Sequence, residues 1–87
     1  MAETQTIYIV SKIRTVPYDG SVAAVIDNTQ HLSRISAESR YYSVLAAAAN
    51  DTGAYVSSGV LMTNEGFVIE SKSYTHDVQP QAVEEGE

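Results

Sequence analysis

Apolar and polar residues alternate through Thr6–Val16. Ile7, Ile9 and Ile13 fall on one side of an extended chain, with Ser11 between them, and Tyr8, Val10, Lys12 and Arg14 fall on the other. Successive strand side chains point to opposite faces, so this spacing predicts a half-buried strand with an amphipathic outer side. Pro17-Tyr18-Asp19-Gly20 predicts a turn, because Pro fixes φ and Asp-Gly tolerates the left-handed conformations of a tight reversal. Val22, Val25 and Ile26 mark a second strand over Ser21–Asp27, although Ala23 and Ala24 fit either face. Asn28 to Leu32 reads as a polar connection.

The period then changes. Between Ser33 and Asn50, Ala37, Tyr41, Val44, Leu45 and Ala48 draw a single apolar stripe at helical spacing. Ser33 and Ser36 are both acceptable N-caps, and Glu38 suits the positive end of the helix. Ala46 to Ala49 are strong helix formers and are small enough for the helix to lie close to a sheet. Asn50-Asp51-Thr52-Gly53 is a stop, with Asn50 or Gly53 expected in a left-handed C-terminal conformation. Adjacent helical residues point about 100° apart, so Tyr41 falls on the stripe and Tyr42 beside it. Two further strands, Tyr55–Thr63 and Phe67–Thr75, flank Asn64-Glu65-Gly66, a three-residue hairpin loop with Gly66 left-handed. Gly59, inside the first of these, suits close packing or a bulge.

The order ββαββ implies an α+β fold: a four-stranded, mostly antiparallel sheet with one helix packed on one face. One domain is expected over residues 1–75, followed by a flexible acidic tail over 76–87. One helix covers one face, so the other must be solvated or buried by a partner or a second copy. The alternation assigns Tyr8, Val10, Lys12 and Arg14 of the first strand and Val68, Glu70, Lys72 and Tyr74 of the last strand to that open face, as partner-binding residues. Tyr and Arg are enriched in interface cores. A slip of one residue exchanges the faces and removes this assignment.

Charge changes the picture less than the net value of −6 suggests. Asp77, Glu84, Glu85 and Glu87 lie in the tail, while Lys12, Arg14, Arg34, Arg40 and Lys72 nearly balance the acids of the body. A near-neutral body is a poor nucleic-acid mimic, and it lacks the basic footprint that direct binding of DNA or RNA requires. The absence of cysteine excludes disulfides, thiol nucleophiles and Cys-based metal centres. His31 and His76 have no ligand cluster around them in the sequence and are expected to be solvated. Ser57-Ser58-Gly59 is not a nucleophile elbow, no Gly-rich phosphate loop occurs, and Glu38, Glu65 and Glu70 fall on different elements. No catalytic residue, metal ligand or cofactor is therefore expected, nor an enzyme. The N-terminus carries no signal-like segment and no apolar run is membrane-length, so a cytoplasmic protein without membrane partners is expected.

The run Arg40-Tyr41-Tyr42-Ser43-Val44-Leu45-Ala46-Ala47-Ala48-Ala49, followed by a hairpin and a charged Pro/Glu tail, resembles small uncharacterised proteins encoded by phages and prophages of bacteria. The resemblance spans most of residues 6–75 and transfers no residue role. It implies an accessory factor of a mobile element, a setting that includes anti-CRISPR-type inhibitors of host defence, acting in a bacterial cytoplasm. The expected function is thus non-enzymatic binding of a protein partner. The alternatives are self-assembly as a structural (virion) protein or a small-ligand site at a homodimer seam.

Overall fold

The computed structural model describes residues 5–76. The chain first doubles back at Asp19-Gly20, which joins β1 (Tyr8–Tyr18) to β2 (Ser21–His31). Both turn residues have positive φ, 50° and 78°. A two-residue hairpin turn of this kind matches the twist of the strands it joins. The expected turn was wider. Pro17 and Tyr18 belong to β1, and Pro17 is tolerated there because it lies past Thr15, where pairing with the strand on the side of β1 away from β2 ends. The second strand also runs beyond its expected end, since Asn28 to His31 continue the ladder as partners of Ser11 to Tyr8.

Ser33 caps α1 (Arg34–Ala49), its Oγ accepting from the Ser36 N–H at 3.3 Å. The expected stripe is the packed one: Ala37, Tyr41, Val44 and Ala48 are buried and Leu45 is partly buried. The helix ends without a left-handed residue. Asn50 has φ −108°, and it closes the last turn through its side-chain amide, which donates to the Ala46 carbonyl at 2.9 Å.

Beyond it, β3 (Val56–Thr63) and β4 (Val68–Thr75) form the second hairpin. The Thr63 N–H donates to the Phe67 carbonyl around the three-residue loop, and Gly66 takes the expected left-handed conformation at φ 92°. The sheet is wholly antiparallel, in the order β2-β1-β3-β4. The α+β class and the single covering helix are as expected. α1 lies chiefly over the two central strands, β3 and β1. Between them sit Val10, Leu61, Ala37, Tyr41 and Val44, with Tyr8, Leu45 and Ile69 packed alongside.

Gly59 sets the spacing of the two layers. A Cβ at that position would meet Leu45 at 3.0 Å and Val44 at 3.1 Å. The small residue lets the alanine-rich helix approach the sheet, which is the close-packing role expected for it. A register shift between Leu61 and Met62 places Ile69 as the extra residue of a bulge in β4. Of the tail expected over 76–87, only His76 lies among the described residues. Its backbone N–H donates to the Tyr55 carbonyl at 2.7 Å, and its Nε2 lies 2.7 Å from the Ala48 carbonyl.

Candidate functional site

Residues directly opposite one another in an antiparallel ladder share a face, so the register decides which side chains stand together. Leu61, Gly59 and Ser57 of β3 face the helix and are buried. Opposite them on β1 lie Val10, Lys12 and Arg14, and opposite them on β4 lie Glu70, Lys72 and Tyr74. Tyr8, paired with Thr63, continues the same side.

The contact surface expected from the sequence is therefore inverted. Tyr8, Val10, Lys12, Arg14, Glu70, Lys72 and Tyr74 stand on the helix side, and Val10, 1% exposed, is core. Only Val68 points away from the helix, because the bulge at Ile69 breaks the alternation of β4 and sets Val68 opposite Met62. The physical reason is the geometry of the cover. The side of β3 that carries Gly59 is the one a helix can approach, and pairing then commits the neighbouring strands.

Arg14, Asp27 and Lys72 on the helix side have local partners. Arg14 donates to both carboxylate oxygens of Asp51, Nε at 2.5 Å and Nη2 at 2.9 Å. The Arg14 hydrogen bonds, with its charge and the Gly53 N–H, hold the Asp51 carboxyl down from 3.8 to about 2, against an opposing effect of burial. The same pairing raises Arg14. Arg40 lies 3.7 Å from Asp27 of β2, and Arg34 pairs with Glu38 one helical turn on. Lys72 sits over the Tyr74 ring, 5.4 Å from its centre. Burial, and then the Glu70 charge, push the Tyr41 phenol up.

The opposite face differs in kind. Across β2-β1-β3-β4, one row reads Gln30, Ile9, Met62, Val68, and the next Asn28, Ser11, Val60, Ser71. The following rows read Ile26, Ile13, Ser58, Ser73, and then Ala24, Thr15, Val56, Thr75. None of these side chains is ionisable. Ile9, Ile13, Val56, Val60 and Met62 are only half-buried, while Ile26, Val22 and Val68 at the sheet margins are 59%, 55% and 58% exposed. Two polar pairs lie within the face: the Ser11 hydroxyl donates to Asn28 Oδ1 at 2.5 Å, and Ser58 and Ser73 Oγ atoms lie 2.9 Å apart.

Sequence reasoning saw the alternation of Ile7, Ile9 and Ile13 but assigned it to the core. The signal that places these residues outside is the pairing of small with small: Gly59 and the Ala stripe of α1 have to meet, which turns Val56, Val60 and Met62 away. The histidines also differ from expectation. His31 Nδ1 lies 3.0 Å from Ser36 Oγ and its Nε2 2.9 Å from Thr29 Oγ1, and His76 is held at the helix C-terminus, so neither is simply solvated.

Among the described residues no three His, Cys, Asp or Glu side chains gather where a metal could bind, and no helix is long and apolar enough to cross a membrane. The open face presents methyl, thioether, hydroxyl and amide groups, which suit contact and shape recognition. It has no group that exchanges protons near neutral pH. Comparison with family models, with curated proteins and with solved structures finds no match to this chain.

Proposed function

We propose that the protein is a non-enzymatic binding module whose working surface is the sheet face turned away from α1. The observation that carries this reading is the uncovered band of Ile9, Ile13, Val60 and Met62 across the two central strands, continuous with Ile26 and Val68 on the edges. A contiguous apolar surface left in water is costly for a small domain, and such surfaces mark sites of association. In this reading the setting is the bacterial one that the sequence pattern over most of residues 6–75 implies, in which an accessory factor inhibits or modulates a host protein by occupying its surface.

Affinity purification from host cells with three forms of the chain tests the surface. Material retained by the wild type and by Lys72→Ala, but lost with Ile13→Lys, is the expected result. Equal retention by all three forms removes the open face from the function. Loss with Lys72→Ala alone returns the contact to the helix side.

A further inference from the structure

We propose that the occupant of the open face is a second copy of this chain, stacked sheet against sheet about a two-fold axis. The inference rests on the open face being a binding surface, and it names a second copy, in place of a host protein, as what covers that face. The first argument is electrostatic. A two-fold interface sets a patch against itself, so any ionisable group near the axis meets its own copy. Like charges brought together across an interface cost several kcal/mol. The rows of the open face contain no ionisable side chain, whereas the other side of the same strands carries Lys12, Arg14, Asp27, Glu70 and Lys72. Charge has been kept off one face only. A surface shaped for an unlike partner is free to carry complementary charge at its centre, whereas a surface that meets itself is not free to do so at its axis.

The second argument is size. Strands of eight and eleven residues, at ~3.3 Å per residue and ~4.8 Å between strands, give roughly 600 Å² of projected face. Two such faces bury about 1,200 Å², which reaches the range of specific stable interfaces. The third is polarity. Ser11 with Asn28 and Ser58 with Ser73 each spend one hydroxyl donor within the face, and the hydroxyl and amide groups of Ser71, Gln30 and Asn28 are neutral donors and acceptors that can pair with their like across a second sheet. The chain's own C-terminal segment is the poorer occupant. It carries Asp77, Glu84, Glu85 and Glu87, for which the open face offers no cation, and β4 leads into His76 on the helix side. Two antiparallel sheets stacked in this way form an aligned sandwich with a helix on each outer surface.

Sedimentation velocity from low to high micromolar concentration tests the proposal, with circular dichroism as the check on folding. The wild type is expected to reach twice the 9.4 kDa chain mass. Ile13→Lys at the centre of the face and Ser71→Lys on the exposed edge strand should each weaken the dimer by about tenfold or more, since each closes an ammonium group into a face that offers no carboxylate to pair with it. Ser43→Lys, on the outer side of α1, should leave it unchanged. Ser71 lies outside the core, so its variant keeps the test valid even where Ile13→Lys fails to fold. A dimer indifferent to both face variants places self-association elsewhere, for example on the free edge of β2, and overturns the proposal. A chain that stays monomeric throughout overturns it as well. In that case the binding reading stands or falls separately on the affinity comparison of Ile13→Lys with Lys72→Ala.

Discussion

The two faces of this sheet are made by the same strands and carry opposite chemistry. On the α1 side, Lys12, Arg14, Asp27, Glu70 and Lys72 share the strand face of Val10 and Leu61, and Asp51 just past the helix and Arg40 within it partner Arg14 and Asp27. Away from α1, isoleucine, valine and methionine occupy the central strands without cover. The usual expectation puts the apolar face inside and the charged face in water. Within one copy the open face departs from that rule, and the second copy proposed above would restore it. On the proposed pairing, the difference is one between two burials, the first made on folding and the second on association.

The sharpest way to break that comparison uses neighbours on β3. Leu61→Ala empties a fully buried site between Val10 and the helix and should cost about 2–5 kcal/mol. Val60→Ala, one residue earlier and on the open face, should cost far less in dilute solution and should show its loss in the dimer. Denaturant unfolding at low and high protein concentration separates the two effects, because association stabilises the folded chain by mass action. Equal costs for both substitutions, independent of concentration, would mean that the open face is no less part of the fold than the covered one.

Gly59→Ala tests what seats the helix. The added methyl meets Leu45 and Val44 at about 3 Å, closer than a packed core accepts, and overpacking of this kind costs about 1–3 kcal/mol. Ser58→Ala on the other face loses one hydroxyl pair with Ser73 and should stay below that. A neutral Gly59→Ala would show that the layers can part at no cost, leaving the choice of covered face unexplained.

That choice is also where the sequence stopped being readable. The helical stripe from Ala37 to Ala48, the Gly66 hairpin and the ββαββ order were all visible, because each is written in local periodicity or turn chemistry. Which side of each strand meets the helix is not local. Lys12 and Arg14 look like solvent residues in isolation, and they become helix-side residues only because β1 pairs Lys12 with Gly59 and Arg14 with Ser57. The Asp51 that receives Arg14 sits on a different element, in a segment that reads simply as a helix stop. Val68 was misassigned for a different reason, since a bulge adds a residue and carries no clear composition signal.

The covered face should also be the pH-sensitive one. Asp51 titrates at about 2 in the folded chain against an ordinary 3.8. A carboxyl depressed on folding contributes stability that is full above its unfolded value and is lost as pH falls through the folded one. Unfolding free energy should therefore decline between about pH 4 and pH 2. Asp51→Asn should flatten that segment while lowering stability at neutral pH by about 1–2 kcal/mol, the scale of a charge-assisted pair. Arg14→Lys should recover only part of the loss, because an ammonium cannot engage both carboxylate oxygens as the guanidinium does. The open face contributes nothing to this profile, so dimer dissociation measured above pH 4 should be independent of Asp51.

The smallest expected effect decides most about the open face. Ser71 is exposed on the outer strand β4, and its side chain makes no hydrogen bond among those described. Folding alone gives no reason to keep a charge out of that position, since lysine is common on edge strands. In dilute solution Ser71→Lys should therefore shift the unfolding free energy by no more than about 0.5 kcal/mol, as surface substitutions generally do. The same variant is expected to disturb association by about tenfold or more, because pairing would close an ammonium group against a face that carries no carboxylate. An effect on association without an effect on folding means that the missing charges were kept out by the partner. An effect on folding of the same size means that they were kept out by the sheet itself, and the contrast between the two faces then belongs to one chain rather than to a pair.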